Sequence, residues 1–136
     1  MLGGKILAID VGKRRIGLAI SDKSGSFAFP FGFLEVENEE MVVERIKEVA
    51  EKEEVKVIVV GIPYSLKGFI TPSTEFALLV AGKLRELGFN VEEVDERLTT
   101  KEAERILRLG KGRKRKGEED SIAAVLLLQV YLSRRG

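Results

Sequence analysis

Three acidic positions in this sequence could form a catalytic site if the fold brings them together. Asp10 ends an apolar run and precedes Gly12. The adjacent Asp95 and Glu96 end a second apolar run, and Asp120 begins a long apolar segment. A strand that ends on an acid and a glycine presents the carboxylate at its own tip, where the glycine permits a sharp turn. The same pattern is typical of an ordinary solvent-facing hairpin turn, so the partners of Asp10 decide between a site and a turn.

The residue types that are missing narrow the possible chemistry. The 136 residues include no His and no Cys. This excludes His-based acid–base catalysis, thiolate nucleophiles, disulfides and the usual zinc sites. Clustered carboxylates without His or Cys form a hard-oxygen site that suits Mg²⁺ or Mn²⁺. Two such ions about 4 Å apart can activate water and stabilise the leaving oxygen of a phosphodiester, which is chemistry that a protein without histidine can perform.

Five strands and four helices are predicted to position these acids. The predicted strands cover residues 5–10, 16–21, 27–36, 55–60 and 90–96, and the predicted helices cover residues 39–53, 71–87, 99–110 and 118 to about 133. The third strand is expected at a sheet edge, because Pro30 cannot donate to a strand ladder. This order predicts an α/β fold with a mixed five-stranded sheet flanked by helices, as a single domain over residues 1–136. Strand ends gather at one edge of such a sheet, and ligands bind there.

The sequence alone allows two roles for Asp120 and leaves open which of Asp95 and Glu96 faces the site. Asp120 lies in the first turn of its helix, where the helix dipole stabilises an acid that has no other role. Ala124 and Leu127, one and two turns further on, place Asp120 on an inward-facing apolar stripe, which favours a functional role. Asp95 and Glu96 have opposite parity along their strand, and alternation does not decide which of them faces the site.

Charge is distributed unevenly along the chain. Residues 105–116 contain seven basic residues and no acid, whereas residues 35–54 contain nine glutamates. This asymmetry suggests an anionic partner on one face, with a solvated loop that merely aids solubility as the alternative. The residues expected to hold phosphates of a nucleic acid are Lys13, Arg14, Arg15, Arg97, Lys111, Arg113, Lys114, Arg115 and Lys116. Such contacts give salt-dependent affinity that is largely independent of base sequence.

Composition is that of a globular protein rather than a membrane protein. Hydrophobic residues make up 44% of the chain, and no apolar run approaches the roughly 20 residues that span a bilayer. The first apolar stretch is short and ends in Asp10, unlike a signal peptide, so we expect a cytoplasmic protein with no membrane contact. A charged fraction of 33% with few Asn and Gln is typical of a thermophile's protein. The sequence leaves a monomer and a homodimer equally open.

Four ordered motifs extend the argument over nearly the whole chain. They are IDVGKRRIGLA at residues 9–19, VGIPYSLKG at residues 60–68, DERLTT at residues 95–100 and DSIAA at residues 120–124. Together they resemble the YqgF family, also called RuvX, whose small bacterial members have an RNase H-like fold. The resemblance implies a nuclease, a hydrolase acting on ester bonds, that depends on Mg²⁺ or Mn²⁺. It also implies a catalytic and metal-binding set of Asp10, Glu96 and Asp120, with Asp95 as the alternative to Glu96.

The resemblance implies a structured nucleic acid as the partner. The expected substrate is the 5′ end of pre-16S rRNA, in ribosomal precursor particles, and a Holliday junction in DNA is the alternative. One loop departs from the family pattern: Lys67 stands where the family often has an acid, and Phe69 and Ile70 replace a common Thr-Gly stretch. The substrate contacts of this loop are therefore not carried over.

Two other functions fit parts of the sequence. The spacing of Asp10, Gly12 and Gly17 also resembles the phosphate-binding hairpin of actin-like and sugar-kinase ATPases. Those proteins need two facing domains, and 136 residues supply one. A non-catalytic RNA-binding factor in ribosome assembly would use the same basic residues, but the three retained acids argue against it.

Overall fold

The structure is a computed structural model that describes residues 4–99 and 118–135, with residues 118–120 and 135 described through their backbone alone. The strands are β1 (Ile6–Val11), β2 (Arg15–Ser21), β3 (Ala28–Glu35), β4 (Val57–Ile62) and β5 (Val91–Asp95), and the helices are α1 (Glu40–Lys52), α2 (Pro72–Glu86) and α3 (Glu118–Arg135). The predicted helix at residues 99–110 lies outside the described residues, apart from its first position.

The five strands form one mixed sheet in the order β3-β2-β1-β4-β5. β1 pairs antiparallel with β2 and parallel with β4, β2 pairs antiparallel with β3, and β4 pairs parallel with β5. The predicted five-stranded mixed sheet is confirmed, and so is the edge position of the third strand. Because β1, β4 and β5 run in the same direction, their carboxyl ends meet at one edge.

Apolar cores lie on both faces of the sheet. Alternate residues of β1 and β4, such as Leu7 and Ile58, are fully buried in the core beneath α1 and α2. The intervening residues, such as Ala8 and Val59, are fully buried against α3. A near-continuous run of β-branched residues fits a strand that is buried on both faces, which is what β4 is.

Helix α2 begins where the sequence predicts. Thr71 caps it by accepting a hydrogen bond from the Thr74 backbone N–H, and the Thr74 hydroxyl in turn accepts one from the Thr71 backbone N–H. Pro72 follows the cap, at a position where its missing N–H costs no helical hydrogen bond. Over the part of the chain that the structure describes, none of the helices is both long enough and apolar enough to cross a membrane.

The end of β5 differs from the sequence-based prediction. The strand ends at Asp95, and the next residues, Glu96–Leu98, form a short 3₁₀ turn. The Asp95 carboxylate caps this turn by accepting a hydrogen bond of 2.9 Å from the Arg97 backbone N–H. Because Glu96 belongs to the turn and not to the strand, strand alternation does not set the direction of its side chain.

Candidate active site

The first component of the candidate site is the end of β1. Asp10 lies opposite Gly17 in the β1–β2 pair, one residue before the hairpin turn. A Cβ atom at Gly12 would stand 2.5 Å from the carbonyl oxygen of Arg15, so the turn closes only because this position has no side chain. The sequence therefore folds into a tight hairpin that leaves the Asp10 carboxylate at the carboxyl edge of the sheet.

The second component comes from the turn after β5. Strand β4 separates β5 from β1, and the Glu96 side chain passes over it at Gly61. A Cβ atom at Gly61 would stand 3.0 Å from Cγ of Glu96 and 2.6 Å from Cδ1 of Leu127. The absence of a side chain at Gly61 thus lets Glu96 approach Asp10, and we call these two residues the acidic pair.

The acidic pair is electrostatically strained. Burial raises the pKa of Glu96 to about 8, and the charge of Asp10, a hydrogen bond with Asp10 and the charge of Asp95 act in the same direction. Two neighbouring carboxylates in a partly desolvated site do not both ionise readily, so one retains a proton near neutral pH. A divalent cation between them would replace that proton and relieve the repulsion.

Asp95 has a different environment from its neighbour. Its carboxylate binds the Arg97 guanidinium through Oδ2, which lies 2.6 Å from Nη2 and 3.0 Å from Nε. This contact lowers the pKa of Asp95. The guanidinium carbon of Arg97 also lies 5.5 Å from the centre of the Tyr64 ring. The structure therefore brings Glu96 against Asp10 and uses Asp95 to hold Arg97.

For Asp120, the third predicted acid, the structure describes the backbone alone. Asp120 lies in the first turn of α3, and its side chain lies outside the described residues. The next residue, Ser121, is buried and donates a hydrogen bond of 3.1 Å to the carbonyl oxygen of Leu18 in β2. Leu18 pairs with Ile9, so the start of α3 is fixed beside the residue that precedes Asp10. Among the described side chains, no group of three or more possible metal ligands occurs.

The described phosphate-binding candidates lie in two places, at the β1–β2 hairpin and just after β5. Lys13 and Arg14 are exposed in the β1–β2 turn, with Lys13 3.4 Å from Glu39, and the Arg15 guanidinium lies 5.1 Å from the centre of the Phe33 ring. Arg97 lies next to the acidic pair in sequence and binds Asp95. Lys111, Arg113, Lys114, Arg115 and Lys116 lie outside the described residues.

Two residues that shape the site were not identified from the sequence. Gly61 provides the space for Glu96, and Tyr64 packs against Arg97. A signal for Gly61 was present, because a glycine within a β-branched strand often marks a close approach of another group. Tyr64 follows a proline in a loop and carries no comparable signal.

The donor set of the acidic pair suits a hard divalent cation. Both groups are carboxylates and both are partly buried, and burial together with the charge of Asp10 raises the pKa of Glu96. Oxygen ligands of this kind are those that Mg²⁺ and Mn²⁺ prefer. The site can therefore hold a cation at the sheet edge where the basic β1–β2 turn also ends.

The chain is similar to a known protein family over most of its length. The family model described as RuvX, Holliday junction resolvase, matches residues 4–134. A protein of Koribacter versatilis that is provisionally named a pre-16S rRNA nuclease is 43% identical, over 98% of this chain and 89% of that protein. A protein of Dictyoglomus thermophilum with the same provisional name is 42% identical, over 94% of each chain.

Solved structures show a related fold. The Thermus thermophilus RuvC protein, in complex with a Holliday junction substrate, has a TM-score of 0.61 at 16% identity, over 98% of this chain and 96% of that one. A yeast mitochondrial Holliday junction resolvase has a TM-score of 0.55 at 10% identity, over 95% of this chain and 80% of that one. At such low identities the likeness concerns the fold alone, and it confirms the predicted RNase H-like architecture.

Proposed function

The chain belongs to the RuvX family, and on this premise we propose that it is a metal-dependent nuclease that matures the 5′ end of pre-16S rRNA. The observation that carries the proposal is the acidic pair: Glu96 crosses over Gly61 to meet Asp10 at the carboxyl edge of the sheet. A partly buried glutamate that ionises beside an aspartate is costly unless it binds something positive. A bound divalent cation would compensate the charge of both carboxylates, and a nuclease needs such a cation for its chemistry.

Each residue of the site has a defined part in this proposal. Asp10 and Glu96, with Asp120 as the third ligand, would hold Mg²⁺ or Mn²⁺, which when bound activates water and neutralises charge on the scissile phosphate. Glu96 releases its proton as the cation binds, so binding is favoured at higher pH. Asp95 orients the Arg97 guanidinium toward a neighbouring phosphate of the substrate.

In this proposal Arg97 binds the substrate backbone from the turn after β5, and the cations of the β1–β2 turn bind it from the hairpin that follows Asp10. Lys13 and Arg14 are exposed there and are free to bind phosphates once Lys13 exchanges its surface contact with Glu39. An exposed ion pair of this kind is worth little, so the exchange costs little. Residues 111–116 would lengthen the contact along the backbone. With a pre-rRNA substrate, the proposed place of action is the cytoplasm, on ribosomal precursor particles.

A Holliday junction is the second candidate substrate, favoured by the description of the matching family. Junction resolution requires two cuts placed symmetrically, and a homodimer supplies the two sites. Maturation of one RNA end requires a single site, which a monomer supplies. The oligomeric state measured during cleavage therefore separates the two substrates.

The test is cleavage of three substrates in the presence of Mg²⁺: a 16S precursor, a four-way DNA junction and an unbranched duplex. We expect the wild-type protein to cleave the precursor and Asp10→Asn to lose at least about a hundredfold in rate, because the variant lacks one carboxylate ligand. Glu92→Gln, which changes an exposed glutamate of β5, is the matched control and keeps full activity. Equal activity of the wild type and Asp10→Asn would mean that a contaminant cleaves the substrate and would overturn the proposal.

A further inference from the structure

Strand β3 and the residue before it carry phenylalanines that the proposed chemistry does not use. Residues 27–33 read Phe-Ala-Phe-Pro-Phe-Gly-Phe, so aromatic residues alternate with small ones. Phe27, Phe29 and Phe31 are 65%, 50% and 39% exposed, and we call these three residues the phenylalanine row. Exposed rings clustered on one short segment are typical of a binding surface.

The phenylalanine row lies at the β3 edge of the sheet, where neither α1 nor α2 substantially covers the face of the sheet that carries these two helices. Ala28, the first residue of β3, packs into the core beneath α3, and successive residues of a strand point to opposite faces, so Phe29 points away from α3. Phe29 pairs with Ile20 of β2, and β3 lies on the side of β2 away from β1, at the edge of the sheet. Among the described helices, α3 is the one that packs substantially against β3, and it lies on the other face.

The edge of β3 is poorly suited to pairing with another strand. Pro30 lacks the N–H that a ladder requires, and Phe31 and Gly32 together stand opposite the single residue Leu18, which makes a bulge. Gly32 has a φ of 81°, a conformation outside regular strands. Prolines and bulges are devices by which edge strands avoid edge-to-edge association. The rings, rather than the backbone edge, are therefore what this strand offers to a partner.

The bulge connects the phenylalanine row to the acidic pair. Beyond it, Phe33 pairs with Gly17, which pairs with Asp10, so the three residues form one rung across the sheet. Gly17 places no side chain between the other two. The guanidinium of Arg15 lies 5.1 Å from the centre of the Phe33 ring, which adds a cation at the end of the row nearest the site. A Cβ atom at Gly32 would meet nothing within 4 Å, so no other described residue crowds the sheet edge at the bulge.

We propose that the phenylalanine row is a stacking surface for the unpaired bases of a single-stranded nucleic acid, which it leads around the β3 edge toward Asp10. Every base has an aromatic face, so such a surface binds single strands with little preference for sequence. Alternate residues of a strand are about 6.8 Å apart, roughly twice the thickness of a base, which gives each ring room for its own base. The inference rests on the proposed nuclease function and deepens it: the substrate has an unpaired segment beside the cleaved bond.

The test is binding of a fluorescein-labelled 12-nucleotide oligouridylate and of a labelled blunt RNA duplex, measured by anisotropy in EDTA. We expect Phe27→Ala/Phe29→Ala to weaken binding of the single strand by about tenfold or more and binding of the duplex by less than about twofold. Phe27→Tyr/Phe29→Tyr, which keeps the rings, is expected to bind like the wild type. Leu79→Ala, which removes a 54% exposed apolar side chain from α2, is the matched control and is expected to change neither affinity.

Three results would overturn the inference. Unchanged affinity of the double alanine variant for the single strand would show that the rings do not stack on bases. An equal loss on the duplex would show a general contact instead. A wild-type dimer that the alanine variant splits, with unchanged oligouridylate binding in sedimentation and anisotropy experiments, would identify a second copy of this chain as the occupant. The binding measurements contain no metal and so do not depend on cleavage. A protein that binds the single strand through these rings but cleaves no substrate would contradict the nuclease proposal and leave the stacking surface in place.

Discussion

Glu96→Gln is expected to stabilise the metal-free protein at neutral and alkaline pH and to abolish its response to divalent cations. In the folded protein, burial and the neighbouring Asp10 raise the pKa of Glu96 to about 8 from an ordinary value of 4.5. The folded state therefore holds a proton that the unfolded state has lost between these pH values. The free energy of unfolding falls with rising pH wherever the folded state binds more protons. The stabilising contribution is fully present below about pH 4.5 and is lost as the pH rises through 8.

The size of the effect follows from the width of this pH window. One pKa unit corresponds to about 1.4 kcal/mol, so the wild type loses at most about 3 kcal/mol between pH 5.5 and 7.5 because of Glu96. At roughly 3 °C per kcal/mol for a chain of this length, its melting temperature falls by up to about 10 °C relative to the variant. Glutamine does not titrate, so the variant lacks this contribution. A cation at a hundred times its dissociation constant returns about 2.7 kcal/mol to the wild type.

The assay is thermal unfolding followed by circular dichroism at pH 5.5, 6.5 and 7.5, with EDTA or with Mg²⁺. Glu92→Gln makes the same chemical change at an exposed position of β5 and is expected to follow the wild type throughout. The reasoning is refuted if the melting temperatures of the wild type and Glu96→Gln do not diverge as the pH rises in EDTA. It is also refuted if Mg²⁺ stabilises the variant as much as the wild type.

Three further substitutions test how the site is held together. Gly61→Ala is expected to lower the free energy of unfolding, measured in urea, by about 1–3 kcal/mol, because the new Cβ would stand 2.6 Å from Cδ1 of Leu127. The control is Gly82→Ala in α2, where a new Cβ would meet nothing within 4 Å. Equal stability of the two variants would contradict the tight fit at Gly61. Asp95→Asn is expected to slow cleavage by about tenfold while keeping the stabilisation by Mg²⁺, since this carboxylate orients a guanidinium; loss of the Mg²⁺ response would make it a metal ligand instead. Ser121→Ala is expected to lower the free energy of unfolding by about 1–2 kcal/mol, because the substitution removes the buried hydroxyl that donates to the Leu18 carbonyl of β2. An unchanged urea midpoint would show that this bond does not anchor α3.

The sequence predicts the elements of this fold well because its local signals agree with one another. The β-branched run at residues 55–60 predicts a strand buried on both faces, and β4 is such a strand, although it spans Val57–Ile62. Pro30 predicts an edge strand, and β3 lies at the edge. The shift of β4 by two residues has a physical reason: its last residue pairs with Asp95 of β5, and no local pattern encodes a partner that lies so far along the chain.

Local pattern failed where the chain changes conformation within one residue. Alternation along β5 left Asp95 and Glu96 undecided, because it assumes that the strand continues through both. The strand ends at Asp95, whose carboxylate caps the following turn, and the turn rotates Glu96 out of the alternation. A short acidic side chain followed by a turn is typical of a cap, so the sequence did carry a signal for the role of Asp95. That signal says nothing about the direction of Glu96.

The site is shaped by missing side chains as much as by charged ones. Gly12 lets the hairpin close against the carbonyl of Arg15, and Gly61 clears the path by which Glu96 reaches Asp10. Patterns of charge find the acids but not this clearance, because a glycine's effect depends on which atoms stand across from it in the folded chain. The hairpin that presents Asp10 is therefore a necessary part of the candidate site and not a sufficient one. Glu96, carried over β4 from a strand that is distant in sequence, makes it a pair that can bind a cation.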